Sequence, residues 1–200
     1  MSRRLLRVLA SAALFAAPSI ALAHPGHADL VAFQGFPSGF AHPLGGLDHV
    51  LAMVTVGLLA AHVGGRALWL VPAVFLGMMT LGGALGAAGM SPPGVEVGIA
   101  VSVIALGAAA SLRRNLGTAF AMALAGVFAT FHGVAHGQEM AQGDGFVGYA
   151  MGFIAATAAL HAAGVGVGLA GTLSASARPA LRAVSASIAL VGVGLLAGWI

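Results

Sequence analysis

The chain has 200 residues, of which 60% are hydrophobic and 6% charged, with a mean hydropathy of +1.02. A soluble domain carries about 25% charged residues, so no water-facing surface can be built from this composition, and the chain reads as an integral membrane protein. The formal charge of +3 comes from arginines placed singly or in pairs, without the basic stripe that nucleic acid needs; the absence of cysteine excludes disulfides and thiolate metal sites.

Taken in chain order, residues 1–23 have the features of a secretory signal peptide. Arg3, Arg4 and Arg7 form a basic start, Val8 to Ile20 an apolar stretch, and Ala21-Leu22-Ala23 a small-x-small cleavage site. An uncleaved first helix is the alternative, but Pro18 interrupts the run and a polar segment follows at once. Residues 24–43 form that segment, with His24, His27 and, among its phenylalanines, the Phe36 and Phe40 pair, suited to a stretch lying on the bundle.

The rest, 44–200, reads as a six-helix transmembrane domain. Its apolar runs are long and unbroken, which favours helices over a barrel. The expected spans are 44–63, 67–89, 94–112, 116–138, 145–171 and 180–199, each near the ~20 residues that cross a bilayer. Breaks fall at Gly64-Gly65-Arg66, Ser91-Pro92-Pro93-Gly94, Arg113-Arg114-Asn115, Gln142-Gly143-Asp144-Gly145 and Ser174 to Pro179. The abundant glycine, 31 residues, suits close helix contact, as at Gly82-x-x-x-Gly86.

Cleavage would leave both ends of the mature chain periplasmic. Arg66, Arg113, Arg114, Arg178 and Arg182 then all fall in or at the edge of cytoplasmic connections. That is the positive-inside pattern.

Ionisable groups inside spans are expensive and default to function. Two sets stand out. His42-x5-Asp48-His49 opens the first span, with Pro43, Gly45 and Gly46 in the insert, so His42 is expected to fold back over the helix start. Asp48 could cap that helix. The second set is Phe131-His132-Gly133-Val134-Ala135-His136-Gly137-Gln138-Glu139 in the fourth span. His132, His136 and Glu139 follow i, i+4, i+7 spacing and share a face, as three ligands of one ion would; the alternative is an interhelical hydrogen-bond cluster. The topology puts both sets in the outer half, so they are expected to build one site rather than two.

These motifs carry a resemblance to the HupE/UreJ family of nickel and cobalt permeases. It spans the mature chain: the His24-Pro25-Gly26-His27 start, His42-x5-Asp48-His49, and the Phe131 to Glu139 motif. The resemblance implies uptake of Ni²⁺ or Co²⁺ across a bacterial inner membrane, serving hydrogenase or urease maturation. It carries over His42, Asp48, His49, His132, His136 and Glu139 as the metal positions. The ion is cargo, with no permanently bound cofactor. The other partners are the lipid bilayer and, indirectly, the maturation system of a nickel enzyme; a homo-oligomer is compatible with the sequence.

Other positions have two readings each. His24 and His27 either capture metal ahead of the pore or form a polar tail. Glu96 either complements a helix dipole or adds a ligand. His161, deep in the fifth span, is either a second station or a hydrogen-bonded core histidine. Two other functions compete. An intramembrane metal-dependent hydrolase is suggested by His132-x3-His136, but the general base between the ligands is replaced by Gly133. A haem-binding membrane subunit would use paired histidines on facing helices.

Overall fold

The computed structural model describes residues 35–112, 116–139, 146–173 and 176–200. The expected signal peptide, His24, His27, Arg113, Arg114 and Asp144 lie outside the described residues.

Among the described residues there are seven α-helices, one 3₁₀ turn and no strand. A short helix, α1 (Phe36–Ala41), carries Pro37 in its first turn, which its fixed φ suits. The 3₁₀ turn His42–Leu44 follows. The chain then bends by 86° into α2 (Leu47–Val63). The bend is at Gly45-Gly46, where Gly46 is extended and gives α2 its start. The remaining helices are α3 (Ala67–Ala87), α4 (Val95–Ser111), α5 (Thr118–Glu139), α6 (Phe146–Thr172) and α7 (Ala177–Leu196). They match the expected spans to within a few residues. Left-handed glycines set two of the breaks: Gly64 and Gly65 turn α2 into α3, and Gly94 at φ 80° opens α4.

Four helices, α3, α5, α6 and α7, are long and apolar enough to cross a membrane, and the bent α1–α2 unit makes up to five. At 17 residues, α4 is apolar but shorter. The outside of the bundle is apolar, with Trp69, Leu81, Val127, Val147, Leu190 and Trp199 all more than half exposed. Its inside holds buried histidines, serines and threonines. That inversion, on a chain with this composition, describes a multi-pass membrane protein.

Lipid gives helices no hydrophobic reason to associate, so close backbone contact must hold them together. The three most extensive pairings among the long helices are each made through glycine. On α3 and α5, a Cβ at Gly133 would strike the Met79 carbonyl, and one at Gly137 the Gly83 carbonyl. Gly82 and Gly86 meet the backbones of Thr130 and Val134 in return. On α2 and α6, Gly57 lies against the backbone of His161 and Gly164 against Val54. On α4 and α7, Gly107 meets Ser185 and Ala189, and Gly192 meets Ile104.

The register of these contacts gives directions. Contacts advance together along α3 and α5, and along α2 and α6, so each of those pairs runs parallel. Along α4 and α7 they run in opposite senses, so that pair is antiparallel. Such a pattern arises when a chain reverses at each of its five connections. It is also preserved when the first three long helices exchange places with the last three: α2–α6 becomes α5–α3, and α4–α7 returns to itself. Finally, α1 lies across the start of α6, where Gly39 meets Tyr149 and Gly152 meets Phe36.

Candidate metal centre

The start of α2 and the end of α5 meet under the α1 bend. Two overlapping clusters result, sharing His136.

The first is His42, His136 and Glu139. Pro43 and the 3₁₀ turn hold His42 back over the helix start, as its spacing suggested. Its Nε2 lies 3.1 Å from His136 Nδ1 and 3.1 Å from Glu139 Oε2. The third side, His136 Nδ1 to Glu139 Oε2, is 3.5 Å. Two ligands at ~2.0–2.1 Å from one ion sit roughly 3–3.4 Å apart, so this triangle has nearly the size of a coordination face. The Glu139 side chain is 58% exposed, so this cluster lies at the surface of the bundle.

The second cluster is His49, His132 and His136, whose ligand nitrogens lie within 4.8 Å of one another. His132 and His136 are buried, at 0% and 3% exposure. In each ring one nitrogen is engaged and the other is left over. His49 Nδ1 donates to Asp48 Oδ1 at 2.8 Å, which leaves Nε2 buried and unpartnered. His136 Nδ1 belongs to the first cluster, and its Nε2 is buried and unpartnered. His132 Nε2 meets Ser102 Oγ at 2.8 Å. The Ser102 hydrogen already goes to the Ile99 carbonyl at 2.6 Å. The serine oxygen must therefore accept from His132 Nε2–H, and Nδ1 carries the free lone pair. It too is buried and unpartnered. Each free nitrogen in a dry interior costs about 1–3 kcal/mol if nothing meets it.

Asp48 does not cap α2, whose N-cap is Gly46. Neighbours in a helix normally diverge, but Asp48 turns onto its neighbour and accepts from both the amide and the ring of His49. It stands behind His49, the position from which a carboxylate fixes the tautomer of a metal-binding imidazole. Ser102 holds the equivalent position behind His132. Sequence reasoning missed it; the signal was a hydroxyl in the middle of an apolar helix, which in lipid must find a partner.

Two other expected positions stand apart from both clusters. Glu96 is exposed in the first turn of α4 and joins neither. His161 is 1% exposed on α6, and neither ring nitrogen has a partner, which departs from the hydrogen-bonded core histidine considered as one alternative.

The family model described as HupE / UreJ protein matches residues 12–195 of this chain. The chain is also 40% identical over 198 residues to Protein HupE of Rhizobium leguminosarum bv. viciae, covering 96% of this chain and 98% of that one. No solved structure matches. Both motifs that form the clusters lie inside the matched region, and the chain belongs to the HupE/UreJ family.

Proposed function

We propose that the protein is a permease that carries divalent transition-metal ions, Ni²⁺ and Co²⁺ foremost, inward across a bacterial inner membrane to supply hydrogenase or urease maturation. The observation that carries this is the cluster of three imidazoles, two buried and one half-buried, each with one nitrogen engaged and the other buried without a partner. Imidazole is a ligand of nickel, cobalt, copper and zinc. Membership of a family named for HupE and UreJ supports the same reading.

The proposed topology is six crossings after a removed signal peptide, with both ends periplasmic. The alternating helix directions support it, as does the placement of arginine. The clusters then face the periplasm. In the mechanism, the Glu139 carboxylate and the exposed edge of His42 attract a hydrated cation. His42 Nε2, His136 Nδ1 and Glu139 Oε2 replace part of its water. The ion then passes to His49 Nε2, His132 Nδ1 and His136 Nε2. His136 serves both clusters, one through each nitrogen. A neutral ring holding the ion on Nδ1 keeps its proton on Nε2, so the transfer has Nε2 give up its proton to water and Nδ1 take one from water, where Glu139 can accept the hydrogen bond. The sequence has no phosphate-binding Gly-Lys-Ser/Thr motif. The membrane potential supplies ~4.6 kcal/mol for a divalent ion per 100 mV, enough to drive accumulation.

The test is uptake of radiolabelled Ni²⁺ by cells expressing the protein, with Co²⁺, Zn²⁺ and Cu²⁺ as competitors. Uptake above that of cells lacking the protein, reduced by Co²⁺, is the expected result. Uptake equal to that of the control cells removes the reading.

A further inference from the structure

The unpartnered buried polar side-chain atoms among the described residues fall into two groups. One is the three-histidine cluster. The other is on α6: Thr157 Oγ1 and both ring nitrogens of His161. Thr157 is 0% exposed and His161 1%. They are four residues apart, so they share a helix face one turn apart. No Asp, Arg or serine meets them.

Their depth follows from the parallel register of α2 and α6. The His161 backbone lies against Gly57. Eight residues of α2 separate Gly57 from His49, which places His161 about 12 Å further along the bundle than His49. Thr157 is about 6 Å back toward the cluster. Phe75 of α3 connects the two regions: its ring centroid is 5.9 Å from that of His132 and 5.0 Å from that of His161. His161 also borders an open cavity of about 360 Å³ between α3 and α6, lined otherwise by apolar residues, among them Leu68, Pro72 and Leu76. Pro72 lies inside α3 and has no amide to give the Leu68 carbonyl, so a further acceptor is freed on the wall of the same cavity.

We propose that Thr157 and His161 form a second cation station, which takes the ion from the three-histidine cluster past Phe75 and releases it toward the cavity beside Leu68. The station offers an imidazole nitrogen and a hydroxyl oxygen, with room for water to complete the shell. It has no carboxylate, so it holds a divalent ion more weakly than the cluster does. Weak holding suits a release step. This inference rests on the reading that the three-histidine cluster binds the transported ion.

The experiment pairs two readouts on purified protein: equilibrium Ni²⁺ binding in detergent, and Ni²⁺ uptake into proteoliposomes under an imposed potential. His161→Phe keeps a ring against Phe75 and removes the ligand. It should bind Ni²⁺ with wild-type affinity while its uptake rate falls about tenfold, equivalent to ~1.4 kcal/mol of added barrier. His161→Met restores a soft donor and should recover a substantial part of the rate. Thr157→Val should slow uptake and Thr157→Ser should not. Wild-type uptake by His161→Phe would overturn the second station, as would His161→Met being no faster than His161→Phe. Loss of equilibrium binding in step with uptake would also overturn it, because His161 would then only support the first cluster. If the wild-type protein itself neither binds nor moves Ni²⁺, the reading of the cluster fails, and the second station fails with it.

Discussion

The two clusters at the mouth of the bundle are built from nearly the same residue types and share a ring, yet they treat water differently. His42 and Glu139 keep 34% and 58% of their side-chain surface exposed. His132 keeps none. The mouth carries a carboxylate whose charge acts at a distance and whose ligands remain partly hydrated. The buried cluster has no charge of its own among its ligating atoms, only oriented lone pairs. In the proposed permease, charge governs capture, where the ion still has water to lose. Neutral nitrogen governs holding, where an unpaired anion would be costly.

That division can be broken most severely at the buried cluster. His49→Ala and His132→Ala should each lower Ni²⁺ affinity at least about a hundredfold, and the double variant should be scarcely worse, as for residues sharing one partner. A double-mutant cycle by equilibrium binding in detergent measures this. Full-affinity binding at half the stoichiometry in either single variant would mean two independent sites.

A smaller loss is expected one layer out. Asp48→Asn keeps shape but removes the anionic acceptor behind His49. Affinity should fall roughly ten- to a hundredfold, the usual cost of losing such a partner. Wild-type binding by Asp48→Asn would show that His49 needs no orientation.

The mouth should respond in kinetics rather than in holding. Glu139→Gln should raise the Ni²⁺ concentration for half-maximal uptake about tenfold at low ionic strength, and less in high salt, with the maximal rate little changed. A fall in maximal rate alone would place Glu139 in the transfer step.

Protons offer the mildest perturbation. Ligating imidazoles must be neutral, so binding is fullest above their protonation range and lost as pH falls through it. Uptake should therefore fall progressively as external pH is lowered from about 7 to 5 at fixed potential. Flat uptake over that interval would argue against imidazole in the rate-limiting state.

Much of this architecture can be read from residues alone, for identifiable reasons. Gly64-Gly65 and Pro92-Pro93-Gly94 interrupt otherwise continuous apolar runs, so those helix boundaries fall where backbone chemistry requires. The i, i+4 histidines declare their shared face. The partners of those histidines are less accessible, because they depend on tertiary contact. Nothing in the string Val101-Ser102-Val103 points to His132, thirty residues away. The Asp48–His49 contact runs against the divergence that helix geometry suggests for neighbours. The pairing of helices is hidden for a different reason. Glycine occurs in every long helix, and Gly82-x-x-x-Gly86 marks a contact face without saying that Gly133-x-x-x-Gly137 fills it.

Those glycine contacts bear on how the machine can move. Where backbone rests on backbone there is no side chain to change rotamer, so α2 with α6 and α3 with α5 each behave as one stiff lever. His49 and His161 ride on the first lever; Phe75, His132 and His136 ride on the second. In the proposed permease, an ion in the three-histidine cluster is a rivet driven through both. Seating it draws the levers together at the mouth, and letting it go frees them to part. On that reading, loading and gating become a single mechanical act.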